Sequence, residues 1–121
     1  LSKGTSAYEF NIQDGQIRLE CALMDGSKMR ARTVTGETVS PGVWTHVAAV
    51  RSGNTIRFYL NGVQQSTQYL DAQSAVPQAQ SSGDVMIGRR PNQALYFDGL
   101  IDELVLYPQA LTVLEIQALM N

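Results

Sequence analysis

Val43-Trp-Thr-His-Val-Ala-Ala-Val-Arg51, then Ser52-Gly-Asn-Thr55, then Ile56-Arg-Phe-Tyr-Leu60, then Asn61-Gly-Val63 is the stretch that decides the fold. Two apolar, β-prone runs are separated by a short Gly and Asn turn. The second run stops at Asn61-Gly62, a strong hairpin signal because both residues tolerate positive φ. Within the first run Trp44, His46, Ala48 and Val50 share one face, and Val47 and Ala49 share the other. A strand apolar on both faces is expected inside a sheet, with neighbours along both edges. The stretch therefore predicts the central hairpin of an antiparallel β-sandwich.

Upstream, Tyr8-Glu-Phe-Asn-Ile12 alternates apolar and polar with period 2, and Gln13 to Gln16 supplies a turn. Ile17, Leu19, Cys21 and Leu23 then share a face opposite Arg18 and Glu20, until Asp25-Gly26 turns the chain. Met29, Ala31 and Thr33 continue the pattern against Arg30 and Arg32, which is a sheet with one wet face. The segment 36–42, with Pro41, reads as loop.

Downstream, Val63 to Tyr69 is expected to pair back across Asn61-Gly62. Leu70 to Gly83 is rich in Ala, Gln and Ser and reads as the longest irregular connection, a length that is uncommon unless functional or mobile. Val85 to Gly88 predicts a short buried strand, Arg89 to Ala94 a loop, and Leu95 to Tyr107 a long strand interrupted near Asp98-Gly99. Thr112-Val-Leu-Glu115 is a capping box, so a short helix follows, with an apolar face for docking on the sandwich.

The 121 residues predict one domain spanning 1–121, with no internal repeat or low-complexity tract. A net charge of -2 offers no basic field for a phosphate backbone, so nucleic acid is not expected as a partner. Nor is a membrane, since no apolar run approaches a span and no charged and apolar leader opens the chain. Cys21 is the single cysteine, which excludes an internal disulfide and leaves the redox compartment unread; it is expected as a small buried hydrophobe. The chain begins at Leu1 rather than Met, and is expected to be a processed or excised piece.

The order Gly42-Val-Trp44-Thr-His46-Val-Ala, Phe58-Tyr-Leu-Asn61-Gly62, Val85-Met-Ile-Gly88, Phe97-Asp-Gly99-Leu-Ile-Asp102-Glu-Leu-Val-Leu-Tyr107-Pro-Gln-Ala-Leu111 and Thr112-Val-Leu-Glu115-Ile resembles the laminin-G-like jelly roll of the concanavalin A-like lectin/glucanase superfamily. The resemblance covers nearly the whole chain. It implies an all-β antiparallel sandwich with a short C-terminal α-helix, in an extracellular or cell-surface protein. It also implies roughly 40 to 60 further N-terminal residues, whose absence would leave an open edge and uncovered apolar surface. That edge is expected to be filled in trans, by a second copy or by a complementing N-terminal segment.

Superfamily glucanases present carboxylates at alternate positions of one strand. Glycosidases need two carboxyl groups about 5 to 9.5 Å apart. Here Asp98 and Asp102 would lie about 13 Å apart along an extended strand, with apolar Leu100 between and Glu103 on the opposite face. Catalysis is not expected. His46 is the single histidine and has no Gly-x-Ser-x-Gly elbow to serve, so it is expected as a structural residue, with Trp44 in the core.

Calcium at the sandwich rim is implied by the superfamily, and Asp98 and Asp102 with loop carbonyls near Gly99 are the candidate ligands; the alternative is a turn aspartate and a surface aspartate. For carbohydrate, Arg89, Arg90, Asn92 and Tyr96 gather an aromatic face and hydrogen-bonding groups in one segment, and adjacent arginines suit an acidic sugar. The expected function is non-catalytic binding of carbohydrate or glycoprotein. The competing expectation is a structural or protein-interaction module that assembles through its open sheet edge.

Overall fold

The computed structural model describes residues 1–3, 7–90 and 93–120. Its strands in chain order are β1 (Ser2–Lys3), β2 (Tyr8–Gln13), β3 (Gln16–Ala22), β4 (Lys28–Thr33), β5 (Val47–Ser52), β6 (Thr55–Leu60), β7 (Val63–Gln65), β8 (Thr67–Tyr69), β9 (Val85–Met86), β10 (Arg89–Arg90) and β11 (Gln93–Tyr96), followed by helix α1 (Val113–Ala118). A six-stranded sheet has the order β8-β4-β3-β2-β1-β9, a three-stranded sheet the order β5-β6-β7, and β10 pairs with β11. Every pairing is antiparallel. This is the all-β sandwich with one C-terminal helix that the patterning predicts.

Two turns set the registers. Asp14 and Gly15, at φ 53° and 77°, let Gln13 face Gln16, and Asn61 and Gly62, at φ 48° and 74°, let Leu60 face Val63. Positive φ at both central residues matches the right-handed twist of the strands they join. Asn61 also extends the β5–β6 ladder: its amide donates to the His46 carbonyl at 2.8 Å, and its Oδ1 accepts from the His46 amide at 2.9 Å.

Period-2 alternation then builds the core. Ile17, Leu19 and Cys21 of β3, with Leu23 beyond it, and Met29 and Ala31 of β4 face Ile56 and Phe58 of β6, with Phe10, Val47 and Ala49 packed alongside. Each large side chain fully buried there contributes about 1.5–3 kcal/mol. The opposite faces of β2, β3 and β4 carry charge, and Glu20 joins Lys28 at 2.6 Å and Arg18 at 3.6 Å. The single cysteine lies in the core, where burial pushes its thiol up to about 11, leaving it no thiolate for chemistry near neutral pH.

The chain crosses between sheets at Ser66. The sequence predicts one strand from Val63 to Tyr69; instead β7 pairs with β6 and β8 pairs with β4 in the other sheet. Glu37 holds the corner, accepting from the Ser66 amide at 2.7 Å and the Ser66 hydroxyl at 3.0 Å. Where β7 leaves, the Tyr69 hydroxyl accepts from the Ile56 amide at 2.8 Å, and the Thr67 hydroxyl donates to the Ile56 carbonyl at 3.1 Å. Backbone groups that lose a ladder partner are thus satisfied by side chains from the facing sheet.

β5 is covered on both faces, as its sequence requires. Val47 and Ala49 pack on the sandwich core, while Ala48 and Val50 pack on the outside with Tyr59, Leu111 and Ile116. The outer cover is α1. Its Thr112 and Glu115 form the predicted capping box, and Gln117 Nε2 donates to the Gly62 carbonyl at 3.1 Å. A six-residue helix has little stability of its own, so Ile116 in its pocket is what holds it.

Several expectations are corrected here. β5 is not central: it ends the three-stranded sheet, and β6 is the inner strand. Apolar residues on both faces report cover above and below, which a helix supplies as well as a sheet does. Trp44 precedes the strand and is 67% exposed rather than in the core. At Val85 to Gly88 only Val85–Met86 is a strand, and Val85 and Ile87 are exposed. The long strand predicted to Tyr107 stops at Tyr96; residues 97–112 are irregular, and Leu100, Ile101, Leu104, Val105, Leu106 and Tyr107 are exposed.

Candidate functional site

Arg89, Arg90 and Tyr96 lie on the β10–β11 hairpin, which leaves the six-stranded sheet just after β9. The Ser2 hydroxyl donates to the Arg89 carbonyl at 3.4 Å, and the Phe97 amide donates to the Gly88 carbonyl at 2.7 Å. These two bonds tie the base of the hairpin to β1 and close it on itself. Arg89 pairs with Tyr96, Arg90 pairs with Gln93, and the register shifts between the two pairs, with the extra residues on β11. Successive residues of a strand point to opposite faces, which is how the neighbouring arginines come to differ.

Arg89 and Tyr96 face each other across the ladder, and both are exposed, Tyr96 at 69%. Directly opposite residues hold their Cβ atoms about 4.5–5.5 Å apart, within reach of one small ligand. Arg90 instead turns onto the sheet, with Nη2 2.7 Å and Nε 2.8 Å from Glu9 Oε2. The geometry separates the arginine pair of the sequence into one exposed and one ion-paired guanidinium. Asn92 lies outside the described residues. Glu9 was not foreseen, being 81 residues from Arg90; its only sequence signal was its place on the polar face of β2.

Asp98 and Asp102 sit in the irregular connection after β11, both exposed. Asp102 Oδ1 accepts from the Glu103 amide at 2.8 Å, with Glu103 at φ 49°. Calcium takes six to eight oxygens, about 2.3–2.6 Å away. Among the described residues no three His, Cys, Asp or Glu side chains gather, so these two aspartates do not by themselves make a calcium site.

His46 is half-buried, its Nδ1 is buried without a hydrogen-bond partner among the described residues, and its backbone holds Asn61 at the end of the β5–β6 hairpin. Arg51 also works structurally: its Nη2 donates to the Val76 carbonyl at 2.6 Å and the Ser74 carbonyl at 3.2 Å, fastening the long connection 70–83. Arg30 and Asp71 fasten its start through two hydrogen bonds of 2.7 and 2.8 Å. The charge-assisted bond from Arg30 is the main reason the Asp71 carboxyl lies below its ordinary range.

A laminin-G family model of the concanavalin A-like lectin/glucanases superfamily matches residues 1–117, and the chain belongs to that superfamily. Among curated proteins none matches. One similar solved structure is an S-layer domain-containing protein (residues 221–444) from Clostridium thermocellum, with 21% identity and a TM-score of 0.54. All of this chain is covered in that comparison, and 66% of the other, so the chain spans just under two-thirds of that neighbour's length. At this identity the likeness shows the fold alone.

Proposed function

We propose that the chain is a non-catalytic binding module for carbohydrate or glycosylated protein, belonging to an extracellular or surface protein. The supporting observation is the register of β10–β11, which sets an exposed Arg89 guanidinium opposite an exposed Tyr96 ring. A phenol ring offers a stacking face and a hydroxyl, and a guanidinium offers a planar fork of donors suited to carboxylated or sulfated sugars. Superfamily membership and the description of the structural neighbour as an S-layer domain-containing protein agree with a surface setting.

A glycan array with and without calcium tests this reading. Binding to acidic glycans that falls about tenfold or more in Arg89→Ala and Tyr96→Ala, at unchanged melting temperature, supports it. Binding that survives both changes moves the site elsewhere, and no glycan bound in either condition rejects the sugar reading. Signal lost only on chelation would bring Asp98 and Asp102 back as ligands.

A second reading, a module that assembles with polypeptide, is favoured by a separate observation: the exposed apolar run after Phe97.

A further inference from the structure

The polar face of the six-stranded sheet carries two adjoining rows of side chains, and they are neutralised unequally. In the first row Glu9, Glu20 and Arg30 follow one another across β2, β3 and β4. Each has an ion-pair partner: Glu9 holds Arg90, Glu20 holds Lys28, and Arg30 holds Asp71. In the second row Asn11 stands opposite Arg18, Arg18 opposite Arg32, and Arg32 opposite Gln68. Four strands thus set two guanidiniums side by side between two carboxamides.

Like charges directly opposite each other in a sheet repel, with Cβ atoms about 4.5–5.5 Å apart. Carboxylates beside this pair relieve it little. Arg32 forms no ion pair among the described residues, and the acceptor of its Nε, Gln68 Oε1 at 2.9 Å, is uncharged. Arg18 Nη1 donates to another neutral group, Gln13 Oε1, at 3.3 Å. Its one carboxylate, Glu20 at 3.6 Å, is shared with the closer Lys28 at 2.6 Å. Arg18, Lys28, Arg30, Arg32 and Arg90 face three carboxylates, Glu9, Glu20 and Asp71, which leaves an excess of two positive charges here in a chain of net charge -2. The excess sits in the second row.

We propose that Arg18 and Arg32 form a binding site for one oxyanion group, a sulfate ester or a carboxylate, carried by an acidic glycan lying on this face of the sheet. A guanidinium presents a planar fork of donors that matches such a group two oxygens at a time. An anion held by both forks replaces their repulsion with two attractions. Asn11, Gln13 and Gln68 flank the pair with carboxamides, which can both donate to and accept from sugar hydroxyls. A nucleic acid fits less well, because Glu9 and Glu20 in the adjoining row repel closely spaced phosphates and neither row contains an aromatic ring for a base to stack on. The inference rests on the carbohydrate reading above, but on residues that reading does not use.

The test uses the full chain and two probes: inorganic sulfate, followed by NMR at the arginine Nε–H groups, and a sulfated uronate hexasaccharide with its desulfated counterpart, followed by calorimetry. The expected result is saturable shifts at Arg18 and Arg32 with sulfate, and hexasaccharide binding that weakens about tenfold or more in Arg18→Gln and in Arg32→Gln. Arg32→Lys, which keeps the charge and loses the fork, should weaken it about threefold or more. Without ligand the variants should melt no lower than wild type, since each Gln change removes a repulsion. The desulfated probe tells a sulfate site from a carboxylate site. Sulfate shifts that do not saturate, hexasaccharide binding undiminished in both Gln variants, or melting lowered by more than about 5 °C in all three variants overturns the proposal. Sulfate bound with neither hexasaccharide also overturns it, in favour of a small-anion site. Binding lost in Arg18→Gln and Arg32→Gln but kept in Arg89→Ala and Tyr96→Ala upholds this site and rejects the hairpin; the reverse pattern upholds the hairpin and rejects this site.

Discussion

Ile56-Arg-Phe-Tyr59 and Leu104-Val-Leu-Tyr107 are runs of equal length and similar apolar character, and the fold treats them oppositely. Phe58 is 0% exposed between two sheets, while Leu104 is 42% exposed and pairs with no strand among the described residues. The first run sits between β5 and β7, close in sequence and joined to it by two-residue turns. The second has no such neighbour. Strand formation here is decided by the availability of a partner edge, and intrinsic β preference is insufficient without it.

That contrast can be broken by mutation. Phe58→Ala is expected to cost about 3–5 kcal/mol, because it removes a ring from the closed core and leaves a cavity. Chemical denaturation with tryptophan fluorescence would measure the loss; a cost under about 1 kcal/mol would mean that the two sheets are not closed on each other. Thr112→Ala removes the hydroxyl that accepts from the Glu115 amide and is expected to cost about 1 kcal/mol, seen as faster exchange in α1 before any change in β2 to β4.

Asp71→Asn is expected to cost less than about 1 kcal/mol at neutral pH, since the pair with Arg30 is partly exposed. The sign of its pH dependence is fixed. A carboxyl whose folded-state pKa is depressed stabilises fully above its unfolded value near 4 and loses that contribution as pH falls through the lower folded value. The gap between wild type and variant should therefore close in acid; a gap constant from pH 7 to pH 2 would assign the effect to shape rather than charge. Smallest of all, Leu104→Ala is expected to stay within about 0.5 kcal/mol in the chain alone. A cost above 2 kcal/mol would show that the run is buried in solution and would invert the comparison.

What the sequence made legible follows the same line. The strands β2, β3 and β4, the turn at Asn61-Gly62 and the capping box could be read because each rests on local chemistry: alternation, positive φ, and a hydroxyl three residues from a glutamate. Trp44 and the edge position of β5 could not, because cover from α1 and cover from a sheet write the same apolar pattern. For the site, the residue types of the hairpin were visible, but the pairing that sets Arg89 opposite Tyr96 and the long-range approach that brings Arg90 onto Glu9 have no local residue signature of their own.

The single-residue corner at Ser66 bears on how the molecule comes apart. Because β7 and β8 are consecutive yet belong to different sheets, neither sheet can peel away without dragging the first residues of the other out of register. Loss of the β4–β8 pairing would reach β6 through the Thr67 and Tyr69 hydroxyls on Ile56. The two layers are thus linked as a single cooperative unit, whose melting should follow one sigmoid whichever sheet is watched.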